Sequence, residues 1–203
     1  MVVDDPTNAI PYVALLAWNH RPDGNGCYDA AVELRSRTSG GQILVVEPRR
    51  DRLVQMGILP SFEALTRREL AARGIPEYAV SVVQSQGLDD WATAHALQIW
   101  LRQRPNASVA LLCAAFRSAR LRYVLNVVIE PAQAMQVQVY ALADPRCHTN
   151  NWWTSRRGIK VFAMAWLRLL HAWCIGDSGH PPPCGNADDY EKRFLQPYAE
   201  ADA

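Results

Sequence analysis

The sequence predicts an α/β fold, a Rossmann-like three-layer sandwich around a mostly parallel sheet of about five strands. Three observations lead to this prediction. Five apolar runs of five to seven residues recur along the chain, which is the length of a buried strand. Segments with apolar residues at helical spacing separate these runs. Their regular alternation is typical of a parallel sheet with helices on both faces, joined by right-handed crossovers.

The predicted strands are the short apolar runs, and each is followed by polar or turn-forming residues. They are Tyr12–Trp18, Gln42–Val46, Tyr78–Val83, Val109–Cys113 and Val137–Ala141. In such sheets ligands bind at the carboxyl ends of the strands. A ligand site is therefore expected in one or more of four loops, 18–27, 47–60, 84–90 and 113–118.

The predicted helices are bounded by capping residues, glycine or proline. They cover Tyr28–Arg37, about Ser61 to Arg73, a segment from Asp89 or Asp90 to Pro105, about Phe116 to Val127, and Arg156–Trp173. We expect one domain over residues 1–175, followed by a Pro/Gly-rich tail over 176–203.

Composition narrows the function classes. The chain has 203 residues and a formal net charge of +1. A near-neutral total argues against nucleic-acid binding and against binding to an anionic membrane, because both usually need a basic excess. Arg168 and His171 interrupt the apolar stretch Val161–Ile175, which predicts an amphipathic or buried helix instead of a transmembrane segment. We expect a cytoplasmic protein, or a periplasmic or membrane-associated one if an anchor precedes this chain.

The cysteines and short motifs identify no cofactor. The chain has 5 cysteines and no CxxC spacing, which argues against a zinc site. Cys113 lies in an apolar run and is predicted to be buried, whereas pairing of Cys174 with Cys184 is left open. The chain contains neither GxGxxG nor GxxxxGK[ST], so the dinucleotide and P-loop fingerprints are absent.

The first two loops contain polar side chains that have more than one interpretation. His20 and Asp23 form either a base with its partner, or a pair of metal ligands, or a solvated polar turn, and the turn is favoured. Arg49 follows the second strand in a Glu- and Arg-rich loop. It either binds a phosphate or carboxylate in a bidentate manner or forms surface ion pairs.

The next two loops supply the candidate catalytic and anion-binding residues. Asp89 and Asp90 precede a helix, where capping is the favoured role, and they are also the acid/base candidates. Arg117, Ser118 and Arg120 lie where the fourth strand enters a helix. Free backbone amides together with guanidinium groups make an anion site, which we favour over a merely basic outer face.

Two adjacent tryptophans lie in the polar segment before the last helix. Trp152 is a candidate ligand-binding residue, because an indole ring can close a pocket by stacking. The favoured alternative is that Trp152 and Trp153 pack the long loop onto the sheet.

The order of these elements resembles the YdcF/SanA/ElyC-like family, a domain of unknown function, over roughly residues 12 to 174. The resemblance rests on motif positions: Asp29-Ala30-Ala31-x-x-Leu34, Glu63-Ala64 with Leu70 and Arg73-Gly74-Ile75-Pro76, Phe116 with Arg120, and Trp152-Trp153. The resemblance implies a Rossmann-like fold and a link to bacterial cell-envelope metabolism. Members often have an N-terminal membrane helix, which we do not expect here.

The polar motifs of that family are mostly replaced in this chain. Its Thr-Ser-x-x-His-x-x-Arg motif corresponds to Cys113 through Arg120, in which Arg120 is kept and Arg117 replaces the histidine. Its Gly-rich and Ser-Gly-Gly segments correspond to 19–22 and 47–49, which differ. Two hypotheses follow. The chain binds a small anionic or nucleotide-like ligand at the carboxyl ends of the strands, or it is a non-catalytic binding or interaction module that keeps only the scaffold.

Overall fold

A five-stranded parallel sheet forms the centre of the molecule, in a computed structural model that describes residues 12–16, 25–37, 41–49, 52–143 and 151–176. The spatial order of the strands is β3-β2-β1-β4-β5. They are β1 Tyr12–Leu16, β2 Gln42–Pro48, β3 Val80–Ser85, β4 Val109–Ala114 and β5 Val137–Leu142. All four strand pairings are parallel, which confirms the predicted fold class.

Helices connect these strands. The α-helices are α1 Asn25–Arg37, α2 Arg52–Gln55, α3 Phe62–Ala71, α4 Asp90–Arg102, α5 Ser118–Val128, α6 Pro131–Ala134 and α7 Arg156–Ile175. Turns of 3-10 helix cover Glu77–Ala79, Ala115–Arg117 and Trp152–Thr154. The sequence did not predict α2 and α6, because a four-residue helix is too short to show helical periodicity.

The two faces of the sheet bury separate apolar clusters. In β2, Ile43 and Val45 pack with residues of α1 and α3, whereas Leu44 and Val46 pack with residues of α4 and α5. This division follows from the two-residue period of a strand, since successive side chains point to opposite faces. The result is the three-layer arrangement that the alternation of strands and helices predicted.

The strand order reverses direction between β1 and β4. β1 pairs with β2 on one side and with β4 on the other, and the chain reaches β4 only after passing through β3 and α4. A parallel sheet has a crevice at such a point, outside the carboxyl ends of the two strands. The fold therefore places the expected binding region at the carboxyl ends of β1 and β4.

The structure decides between two alternatives that the sequence left open about burial, and it confirms a further prediction. Helix α7 was predicted to be either amphipathic or buried. It is mostly exposed, which leaves the amphipathic alternative. Cys113 is fully buried in β4, as its apolar neighbours indicated.

Contacts divide the chain into two units, Met1–Leu169 and Leu170–Ala203. The sheet lies in the first unit. Beyond Gly176, the tail predicted over 176–203 lies outside the described residues, and so does Cys184. The boundary at 175 and the pairing of Cys174 with Cys184 stay predictions.

Candidate functional site

Buried polar side chains mark the carboxyl edge of the sheet. Glu47 near the end of β2, Ser85 at the end of β3 and Asp90 at the start of α4 are all buried. Buried polar groups need partners, and each of these has one nearby. The predicted loop 47–60 thus begins inside a strand, because β2 extends to Pro48.

Glu47 and Ser85 hold the backbone at the ends of β2 and β3. The Glu47 carboxylate accepts a 2.7 Å hydrogen bond from the backbone N–H of Glu63, in the first turn of α3. The negative charge is favourable there because the amino end of a helix has unpaired N–H groups and a positive dipole. The Ser85 hydroxyl donates a 2.8 Å hydrogen bond to the carbonyl oxygen of Gly87, within the turn that leads into α4. Both contacts are structural.

Asp90 is the centre of an ion-pair cluster. Its carboxyl side chain has no exposed surface. Its Oδ1 atom lies 2.8 Å from a terminal guanidinium nitrogen of Arg117, and its Oδ2 atom lies 3.2 Å from Nε of Arg120. The first contact is a hydrogen bond. The second contact is close, but neither Oδ2 of Asp90 nor Nε of Arg120 has a hydrogen-bond partner within the described part of the chain.

The junction between β4 and α5 brings the two arginines together. The 3-10 turn Ala115–Arg117 redirects the chain, and the Ser118 hydroxyl donates a 2.8 Å hydrogen bond to the Ala115 carbonyl. Arg117 and Arg120 are three residues apart at the start of α5, so they share one helix face. The Arg117 side chain is 26% exposed and that of Arg120 is 19% exposed. Both arginine side chains are therefore partly exposed although the Asp90 carboxylate and the Nε atom of Arg120 are buried.

The cluster around Asp90 has a net positive charge. Two guanidinium charges face one carboxylate, and the amino end of α5 adds a partial positive charge. Cys113 lies at the end of β4 next to this cluster. Burial raises the pKa of its thiol to about 11, although the positive charges of Arg117 and Arg122 act in the opposite direction. Cys113 is therefore a neutral thiol at physiological pH.

Asp89 has a different environment from its neighbour. Its side chain is exposed and accepts a 2.7 Å hydrogen bond from the backbone N–H of Ala92. Its extended backbone, at φ −83° and ψ 171°, is that of an N-cap residue. The capping role predicted for this pair of acids is thus confirmed for Asp89, and the acid/base role of Asp89 and Asp90 stays a prediction.

Of the remaining predicted loop residues, Arg49 is described and does not join the cluster around Asp90. Arg49 is exposed after β2 and takes no part in the ion pairs of Asp90. Its role as an anion-binding residue stays a prediction. His20 and Asp23 lie outside the described residues, as does the rest of the segment that follows β1.

Trp152 packs on the following helix. Its ring stacks on Phe162 of α7, with ring centroids 3.8 Å apart and planes inclined by 12°, and it meets Trp153 edge to face. Its backbone also lies so close to Gly158 that a Cβ atom at position 158 would overlap the Trp152 carbonyl. These contacts attach the 3-10 turn to α7 and give Trp152 a packing role.

The described ranges contain no group of three or more His, Cys, Asp or Glu side chains arranged to hold a metal ion. A surface cavity between α5, α6 and β5 has Arg122, Leu125 and Val139 in its lining and does not include the Asp90 cluster. Comparisons of the chain with protein-family models, curated proteins and solved structures give no match. Within the described residues, the cluster around Asp90 is therefore the candidate site.

Proposed function

We propose that this protein binds a small anionic or nucleotide-like ligand at the carboxyl end of β4, through the guanidinium groups of Arg117 and Arg120. One observation carries the proposal. Two partly exposed arginines, at the amino end of a helix, converge on one fully buried carboxylate. Their combined charge exceeds that of Asp90 by one unit, and phosphate or carboxylate is the chemistry that such a pair recognises.

Asp90 positions the arginines. A long arginine side chain loses considerable rotamer entropy when it binds an anion. An ion pair with a fixed, buried carboxylate restricts that freedom before the ligand arrives, which lowers the cost of binding. In this proposal Asp90 is a positioning residue beneath the site, and Asp89 belongs to the helix cap.

The position in the fold supports the same ligand class. The junction of β4 with α5 lies beside the reversal of strand order, where parallel α/β sheets generally bind ligands in a crevice. A nucleotide or sugar phosphate has an anionic group for the arginines and a larger body for that crevice. The link to cell-envelope metabolism remains part of the proposal and rests on the sequence motifs alone.

Ligand-dependent thermal shifts test the proposal. The wild-type chain is screened against pyrophosphate, AMP and glucose 6-phosphate, and hits are measured by calorimetry. We expect Arg120→Gln to weaken binding at least tenfold, since a hydrogen-bonded charge pair contributes about 1.5–3 kcal/mol. Arg102→Gln is the matched control, because Arg102 forms an exposed ion pair with Glu130 elsewhere.

Two outcomes would overturn the proposal. The first is the absence of any shift with all three probes. The second is a shift that persists unchanged in Arg120→Gln and Arg117→Gln while both variants remain folded by circular dichroism.

A second candidate function is that of a non-catalytic binding or interaction module that keeps only the scaffold, and a specific observation favours it. The ion pairs of Asp90 connect the start of α4 with the start of α5, two helices on the same face of the sheet. In this alternative the cluster only stabilises the helix pair. Arg120→Gln would then lower the melting temperature without changing the affinity for any anion.

A further inference from the structure

Helix α7 has an apolar surface that the rest of the described structure leaves uncovered. It is the one helix of the described residues that is long and apolar enough, by length and composition, to cross a membrane. An 18-residue stretch of α7 has a mean hydropathy of 1.3, yet only 11% of that stretch is buried. A core helix of a soluble domain would be mostly buried, so core packing does not explain this composition.

Two stripes of apolar side chains run along α7, and Met164, Leu167 and Ile175 are exposed outside them, on the side of the basic residues. Val161, Phe162, Ala165 and Leu169 are half-buried, and Phe162 stacks on Trp152. A second stripe is exposed and recurs at helical spacing through Ile159, Trp166, Leu170 and Trp173. Trp166 is 50% exposed and Trp173 is 69% exposed. Two large indoles in solvent on one helix face are typical of an interaction surface.

The charges of α7 are of a single sign. Its sequence, RRGIKVFAMAWLRLLHAWCI, contains no acidic residue. Arg156, Arg157, Lys160 and Arg168 are all exposed. At about 100° per residue these four fall on one side of the helix, away from the stripe that contains Trp166 and Trp173. The chain as a whole is nearly neutral, so α7 has a local excess of positive charge.

We propose that α7 binds the surface of an anionic lipid bilayer and lies in the plane of the membrane. The exposed stripe from Ile159 to Trp173 would enter the boundary between headgroups and acyl chains, where indole rings are favourable. The arginines and Lys160 would remain at the headgroups and pair with lipid phosphates. Charge complementarity decides the partner, because a purely basic helix is attracted to an anionic surface and repelled by a second copy of itself.

Vesicle co-sedimentation of the full chain tests this inference. The vesicles consist of phosphatidylcholine alone or of phosphatidylcholine mixed with phosphatidylglycerol. We expect binding to the mixed vesicles, at least tenfold weaker binding to phosphatidylcholine, and release by high salt. Trp166→Glu should abolish binding, and each of Arg157→Gln and Lys160→Gln should weaken it about fivefold.

Two matched controls isolate the helix. Met135→Glu places the same new charge at an exposed apolar residue outside α7, and Arg68→Gln removes an exposed arginine from α3. Neither should change lipid binding. Circular dichroism checks that all variants are folded, which we expect because the substituted side chains are exposed.

Three results would overturn the inference. One is the absence of binding to mixed vesicles. Another is a dimer in sedimentation analysis that Trp166→Glu dissociates, together with no lipid binding, which would identify a second copy as the occupant. The last is binding to both vesicle types that resists salt and alkaline carbonate, which would identify a spanning helix.

Discussion

The side chains of Asp90 and Arg117 form a 2.8 Å hydrogen bond although 27 residues separate them in the chain. Asp90 is the first residue of α4 and Arg117 ends the 3-10 turn after β4. The parallel sheet brings the two together, since both positions follow the carboxyl end of a strand. This ion pair connects the candidate site with the stability of the fold.

Replacing Asp90 by Asn should destabilise the protein strongly. The change removes the negative charge that two arginines face. Breaking a fully buried ion pair costs about 3–5 kcal/mol, and we expect a smaller loss here because both arginines are partly exposed. Urea denaturation followed by circular dichroism measures the free energy of unfolding. Asp89→Asn is the control at the adjacent position, because asparagine caps a helix as well as aspartate does. A loss of equal size in the two variants would contradict the structural assignment of Asp90.

Replacing Gly158 by Ala should loosen the junction between the 3-10 turn at Trp152 and α7. The new Cβ atom would overlap the Trp152 carbonyl, so the backbone has to move. We expect faster trypsin cleavage after Arg156 and Arg157 and a loss of more than about 1 kcal/mol in stability. Gly26→Ala is the matched control, since a Cβ atom at position 26 meets nothing within 4 Å and alanine favours the helix. Unchanged cleavage in Gly158→Ala would show that this close approach does not hold the junction.

The cysteines should differ sharply in their reaction with iodoacetamide. Cys174 is exposed, whereas Cys27 and Cys113 are buried. Burial raises the pKa of both buried thiols to about 11, so few thiolates are present near neutral pH. With Cys147 and Cys184 replaced by Ser, mass spectrometry of the native protein should find one rapid modification per chain, which Cys174→Ser abolishes. Rapid modification of Cys113 would contradict its burial.

Stability should fall in alkaline solution, because thiols of the unfolded chain ionise at a lower pH than the buried thiols of the folded protein. Because burial raises the pKa of Cys27 and Cys113 to about 11, the folded protein keeps protons that the unfolded chain loses near pH 9. The stabilisation is complete below about pH 9 and is lost as the pH rises toward 11. Burial also raises the pKa of Tyr28, which adds a loss of the same sign.

Urea denaturation at about pH 8 and about pH 10 measures this loss. Each thiol should contribute about 1 kcal/mol to the difference, since a tenfold change in proton affinity corresponds to about 1.4 kcal/mol. In Cys113→Ala the difference between the two pH values should shrink by that amount, and in Cys174→Ser it should not change. Equal pH dependence in wild type and Cys113→Ala would refute the assignment.

Most of the fold could be predicted because its signals are local. Strand β4 is an uninterrupted apolar run, and Asp89 followed by the helical pattern from Trp91 to Leu101 marks the start of α4. The exceptions have physical reasons. The third strand begins at Val80 instead of Tyr78, because Glu77–Ala79 forms a 3-10 turn after Pro76.

The site could be predicted only in part, because residue type does not reveal the partner of a charged side chain. Asp89 and Asp90 are adjacent and identical, yet one caps a helix in solvent and the other is buried beneath two arginines. Successive residues at a helix start point in different directions, so only the packing of α5 against α4 separates their roles. Glu47 was expected in a loop and is instead a buried group bonded to the start of α3.

The sequence by itself determined the α/β class, the parallel sheet and the location of the arginines at the carboxyl edge. Alternating periods of two and 3.6 residues encode these features locally. The tertiary structure decided which carboxylate meets those arginines, which glycine accommodates Trp152, and which apolar residues of α7 stay exposed. These outcomes depend on contacts between residues distant in the chain or on burial by neighbouring elements, and composition and spacing contain neither.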